Sequence, residues 1–290
     1  MQEKAGNFLI LVAYRENEVD DAHPTAIALQ NIASLQTLTL PSLPPSEVQL
    51  LLADTLYLSP DKVTPLASLI REKTKGNPFY ISEFLKYIYQ KRLLEFSIKE
   101  RHWCWDLAKI KAEIATDNVV GLLIPQIHQL PESCQQLLNL ASCLGSRFDL
   151  KLLAIAAGEN LADCATHLWP SLKAGLIIQE DGDSFLAVVG ATDLSISILG
   201  SETLTKMLEV QAPQCRFSHD KVLQAVYRNI DSPIQKQNHL TIGRRFLTHF
   251  SPEELQRYLF SVVKHFNKGR KLITAPNEQQ QLAALNEQAS

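Results

Sequence analysis

Phe8-Leu-Ile-Leu-Val-Ala-Tyr14, followed at once by Arg15, is an apolar run without a break. A run of this length reads as a β-strand buried on both faces, as at the centre of a parallel α/β sheet. It is too short to cross a membrane, which takes about 18 apolar residues or more. Arg15, Glu16 and Glu18 follow it with no small-residue cleavage site, so it does not read as a signal peptide either. A strand of this kind needs neighbours on both sides. The next candidate, Leu35-Gln-Thr-Leu-Thr-Leu40, alternates and would be only half buried. Two short strands do not make a stable doubly wound sheet. The expectation is therefore the C-terminal remnant of an α/β core at the head of a chain that is otherwise mostly α with small β.

Working outward, Pro41, Pro44 and Pro45 break the pattern, and Ser46 with Glu47 opens a helix through Leu56. A second helix is predicted over Val63–Thr74. Gly76-Asn77-Pro78 interrupts it, and a third begins at Phe79 with Ile81, Phe84, Leu85 and Ile88 at helical spacing. Residues 96–107 read as a hairpin with Trp103 and Trp105 on one face. Helices are predicted over Val119–Leu130, after Pro131 to a stop at Gly145, from Asp149 to Gly158, and from Leu161 to Ala174 with Pro170 as a kink. Leu176–Gln179 and Phe185–Val189 read as a second hairpin, so this region has the element order of a winged helix. Residues 190–212 show no period and read as an insertion. Cys215-Arg-Phe returns as a strand, Ser218 can cap the next helix, and the remainder is helical, including Glu278–Ala289.

Composition narrows the function classes. The 290 residues carry 28 basic and 31 acidic side chains, a formal net charge of −3, which argues against a globally basic nucleic-acid binder. Apolar residues are 46% and charged residues 20%, an ordinary globular balance. The five cysteines, 104, 134, 143, 164 and 215, form no CxxC pair, and their odd count fits a reducing cytoplasm. No two of the 11 glycines stand five apart, so the phosphate-binding loop Gly-x-x-x-x-Gly-Lys-Ser/Thr is absent from these residues. Gly-x-Ser-x-Gly and the kinase Gly-rich loop are absent too.

Arg15 sits at the C-terminal edge of its strand, where open α/β sheets bind ligands, and can reach a phosphate there. The equal alternative is a surface arginine paired with Glu16 or Glu18. Gly76-Asn77-Pro78 reads first as a turn with a helix start. His219-Asp220 offers half a metal site, but Asp220 in a first helical turn already suits the helix dipole. Leu161–Ala174, the helix that a winged helix would place on DNA, has Lys173 as its one basic side chain, opposed by Asp163. That is too little to neutralise phosphates.

Several segments together resemble the signal-transduction ATPases with numerous domains, in particular bacterial proteins that join a serine/threonine kinase, a P-loop ATPase module, a GAF domain and a sensor histidine kinase. The residues are Leu11-Val-Ala-Tyr-Arg-Glu-Asn-Glu-Val19, Lys73-Thr-Lys-Gly-Asn-Pro-Phe79, Trp103-Cys-Trp-Asp-Leu107, Asp117-Asn-Val-Val120, Leu140–Leu150 and Phe217–Tyr227. The resemblance implies four parts: strands of the ATPase core, incomplete, at 1–45; a helical lid with a hairpin at 46–117; a winged-helix-like domain at 118–217, with an insertion near 190–212; and the start of a helical, TPR-like repeat at 218–290. It further implies that Arg15 senses the nucleotide's γ-phosphate and that Pro78 packs on adenine beside Gly76 and Asn77. ATP and Mg are its cofactors in an intact parent, and none is expected for this chain alone.

The phosphate loop and the magnesium-holding strand would then lie upstream of Met1, making the chain an internal slice, inactive as an ATPase by itself. Its partners would be the missing ATPase core and kinase domain in cis, and a protein at the helical repeat, with no nucleic acid and no membrane. The alternatives are a free-standing helical adaptor and, behind it, a winged-helix DNA-binding regulator.

Overall fold

A computed structural model describes residues 11–14, 24–30, 32, 35–113, 121, 123–180 and 213–289. The chain divides into two compact units, residues 1–42 and 43–290. In the first, α1 (Pro24–Gln30) is the regular element among the described residues. Residues 11–14 and 35–40 form no strand and lie exposed, with Leu11 86% and Leu40 84% accessible. This corrects the strands expected at 8–14 and 35–40, as far as they are described; residues 8–10 lie outside. An apolar run becomes a strand only when a neighbour takes its hydrogen bonds, and no described residue does.

The second unit is mostly helical with small antiparallel sheets. It opens with α2 (Pro45–Leu56), α3 (Pro60–Thr74) and α4 (Pro78–Gln90), each with proline at its start, where the missing N–H costs nothing. Strands β1 (Leu94–Ser97) and β2 (His102–Trp105) pair in the register Leu94↔Trp105 and Phe96↔Trp103, and α5 (Leu107–Glu113) follows. Trp103 and Trp105 face the core made by Leu52, Leu66, Ile70, Phe84 and Ile88, as their alternation required.

Next come α6 (Leu123–His128), α7 (Glu132–Leu144), β3 (Arg147–Asp149), α8 (Leu150–Ala157), α9 (Leu161–Lys173), β4 (Ile177–Gln179) and β5 (Gln214–Phe217). The strands form one antiparallel sheet in the order β3-β5-β4. The short strand β3 was not foreseen: Asp149 was read only as the start of α8, which it also caps, accepting from Lys151 N at 2.6 Å. The partner of β4 here is β5, with Gln179 opposite Cys215; residues 185–189 and 190–212 lie outside the described residues. Gly145, Gly158 and Gly175 end their helices with positive φ, as read from the sequence.

Four further α-helices complete the described unit: α10 (Asp220–Asn229), α11 (Ser232–His249), α12 (Pro252–Gly269) and, after a 3-10 turn (Arg270–Leu272), α13 (Pro276–Gln288). Helices α11 and α12 form a tight pair joined by Phe250 and a Ser251/Glu254 capping box. Two glycines set their closeness. A Cβ on Gly243 would meet the Phe266 ring at 2.9 Å, and one on Gly269 would meet Leu240 at 2.7 Å. No described helix is long and apolar enough to cross a membrane.

Candidate functional site

Of the residues singled out in the sequence, Gly76, Asn77 and Pro78 form the turn between α3 and α4. Lys75 and Gly76 both take left-handed backbone, with φ of 54° and 76°, which ends α3 and reverses the chain. Gly76 is buried under the Leu43 carbonyl, into which any Cβ would run. That backbone approach is held by Leu43 N donating to Gly76 O at 2.8 Å and Arg71 Nε donating to Leu43 O at 3.1 Å. The close approach that requires glycine at position 76 is thus to the chain's own backbone.

Asn77 is the N-cap of α4. Its side-chain oxygen accepts from Phe79 N at 3.0 Å and Tyr80 N at 3.3 Å. The amides that could otherwise bind an anion at this helix end are therefore already occupied. Pro78, at the first helical position, has no N–H and lies exposed, an apolar face without a donor. Arg15 lies outside the described residues.

The next side chain was not foreseen as functional. Phe79 stacks on His219, with centroids 4.0 Å apart and planes 9° from parallel. His219, not Ser218 as expected, is the N-cap of α10, its Nδ1 accepting from Lys221 N at 3.1 Å. That bond fixes the proton on the other ring nitrogen and takes up one of the two atoms that a metal would use. Ser218 N instead donates to Leu176 O at 2.9 Å, pinning the turn to the sheet. Two helix starts, those of α4 and α10, therefore touch through one ring pair. A second tie lies one turn on: the buried Glu83 carboxylate accepts from Lys86 at 2.7 Å and from Gln126 of α6 at 3.3 Å. No spacing in the sequence announces either contact, since their partners stand far apart along the chain.

A second polar cluster is buried between α11 and α12. His239 Nδ1 and His265 Nδ1 lie 2.8 Å apart, and Tyr227 Oη is 3.1 Å from His239 Nε2. Burial pushes His239 down to about 4 and His265 to about 3, and Lys264 and Lys268 push the same way. Both rings stay neutral near pH 7, and one Nδ1–H donates to the other. The thiols of Cys134, Cys143 and Cys164 are raised by burial and are poor nucleophiles.

Comparison with known proteins adds one relation. Over 306 aligned positions the chain is 26% identical to hybrid signal transduction histidine kinase G of Dictyostelium discoideum. The match takes in 98% of this chain but 9% of that protein. No protein-family model matches the chain, and no solved structure does.

Proposed function

We propose that the chain is the regulatory part of an ATPase module in a multidomain signal-transduction kinase, of the serine/threonine kinase and sensor histidine kinase kind, and that it couples ATP binding to kinase output. The observation that carries this reading is the span of the similarity, which runs through nearly all of the chain and a small part of a signalling histidine kinase. On this reading residues 1–45 belong to the ATPase core, 46–117 to its lid, 118–217 to a winged helix and 218–290 to the first helices of a repeat. The helix–strand order around the β3-β5-β4 sheet and the α11/α12 pair supports the last two.

Arg15 and the Gly76–Asn77–Pro78 turn contact the nucleotide, with ATP and Mg held jointly with a core and kinase domain in cis. The donor-free face of Pro78 suits an adenine ring better than a phosphate. The Phe79–His219 stack passes closure of the lid to the neighbouring domain, a two-state element biased by its ligand. The module works in the cytoplasm, and by itself the 290-residue chain does not hydrolyse ATP.

The test is calorimetric titration of ATP into the intact parent and its Arg15→Ala variant. The variant is expected to bind about tenfold more weakly or worse, the worth of a charge-assisted hydrogen bond. Equal affinity overturns the role of Arg15. Micromolar binding to the 290-residue chain alone overturns the need for the rest of the parent.

A further inference from the structure

The β1–β2 hairpin has a polar face opposite its tryptophans, and three unlike metal-ligating groups converge on it. Glu100, in the turn, and His102 and Cys104, on β2, stand two residues apart along the chain. Alternate positions of an extended chain point the same way, which gathers His102 and Cys104, and the turn, with Arg101 at a φ of 57°, folds Glu100 back over them. Cys104 Sγ lies 3.2 Å from Glu100 Oε2, and His102 Nε2 lies 3.3 Å from that same oxygen. Tetrahedral zinc with its usual bond lengths to S, N and O would set such ligand atoms about 3.3–3.6 Å apart, as in these two pairs; Cys104 Sγ also lies 3.5 Å from His102 Nδ1, so the ring must turn slightly for Nε2 to join the sulfur on one ion.

The ligand atoms of all three residues lie within 4.8 Å of one another, and the histidine ring is held from its other side. His102 Nδ1 lies 3.0 Å from the Trp103 carbonyl. A carbonyl oxygen only accepts, so Nδ1 carries the proton and donates. In the neutral ring, Nε2 then presents a bare lone pair to a carboxylate oxygen. A contact of that length is closed either by a proton on Nε2, which makes an ion pair, or by a metal cation between the two atoms. A backbone carbonyl fixing one ring nitrogen while the other faces the ligand position is the usual support for a metal-bound histidine.

From this geometry we infer that the hairpin binds a divalent transition-metal ion of the zinc type, through His102 Nε2, Cys104 Sγ and Glu100 Oε2, with water completing the shell. The thiolate–imidazole–carboxylate set suits zinc or cobalt and disfavours magnesium and calcium. Binding releases the Cys104 thiol proton to solvent. The thiolate and carboxylate then balance the charge of the ion. All three ligands come from one hairpin, so the ion would staple its turn. Cys104 is also the one cysteine of five that is not buried.

The probe is Co²⁺ added to the reduced, tag-free 290-residue chain, followed by near-ultraviolet and visible absorption. One equivalent is expected to raise a thiolate-to-cobalt charge-transfer band, which Zn²⁺ then abolishes, with release of one proton per ion. Cys104→Ser is expected to lose the band with an unchanged circular-dichroism melt. Glu100→Gln and His102→Gln are expected to weaken binding by about 100-fold, at least the loss seen when a supporting residue is removed. No band in the unaltered chain leaves a plain His102–Glu100 ion pair and overturns the site. A band that persists in Cys104→Ser comes from a buried cysteine and overturns it as well. Should Cys104→Ser misfold, His102→Gln decides between the same outcomes.

Discussion

The domain built around the β3-β5-β4 sheet is joined on two sides, and the two joints differ in kind. Toward α11 and α12 the joint is apolar and continuous. Cys143 of α7 and Ala156 of α8 share one buried core with Leu240, Phe246 and Phe266. Arg245 reaches into the space left by Gly158 and donates to the Ala156 carbonyl. Toward α2–α4 the ties among the described residues are few and partly polar: the half-buried Phe79–His219 stack and the Glu83–Gln126 bond, beside a cavity between Tyr87 and Gln129. Apolar area removed from water scales with the joint's size and resists separation, whereas a ring pair and a hydrogen bond are each worth about 1 kcal/mol. The sheet domain and the α11/α12 pair should therefore unfold together, while α2–α4 is expected to separate from them more readily.

Four measurements would break or sharpen that contrast. The largest effect is expected at Phe246, 1% exposed in the thick joint. Phe246→Ala should cost about 3–5 kcal/mol in denaturant unfolding and loosen both partners at once. A loss confined to α11 and α12 would split the joint.

Acid should attack the same place. His239 and His265 take up protons near their ordinary value of about 6.5 when unfolded but only near 4 and 3 when folded. Between those values the unfolded chain binds more protons, so stability is full above about pH 6.5 and falls as pH drops toward 4. Melting temperature measured from pH 8 to 4 should show this, and the double variant His239→Phe, His265→Leu should flatten it.

Phe79→Ala should cost about 1–2 kcal/mol. Its signature is faster amide exchange in the first turn of α4 with the exchange of α11 unchanged. Uniform acceleration would mean that the two joints are not separate. The smallest expected change is Asn77→Ala, about 1 kcal/mol for a lost N-cap, read as fraying of α4 alone.

Much of the described fold could be read from the chain because its signals are local. Asn77 and Asp149 cap the helices that follow them, and Gly145, Gly158 and Gly175 stop the helices before them. Trp103 and Trp105 declared the buried face of their hairpin by alternation alone. What failed was long-range. Residues 11–14 have the apolar composition of a strand, yet a strand is a property of a pair, and they have no pairing partner among the described residues. Residues 147–149 show the converse: three residues too few to signal anything become β3 because β5 lies alongside.

The same limit hid the site contacts. Phe79 and His219 are 140 positions apart, and no periodicity links them. The Gly76–Pro78 turn was visible, but that its glycine yields to Leu43 was not. Glu100, His102 and Cys104 were visible as letters; only the turn that folds Glu100 back over β2 makes them a cluster.

One rung of the sheet has a topological consequence. Glu180 N donates to Gln214 O at 2.9 Å, just past the Gln179↔Cys215 pair. The chain thus leaves the sheet and re-enters it at neighbouring points. Closing a loop between fixed, adjacent ends costs an entropy that grows only with the logarithm of its length, about 0.6 kcal/mol per doubling. The entropy of such a closure therefore depends far more on the fixed ends than on the length between them. The rung thus acts as a clasp, holding β4 and β5 in register at the place where the chain departs from the sheet and returns to it.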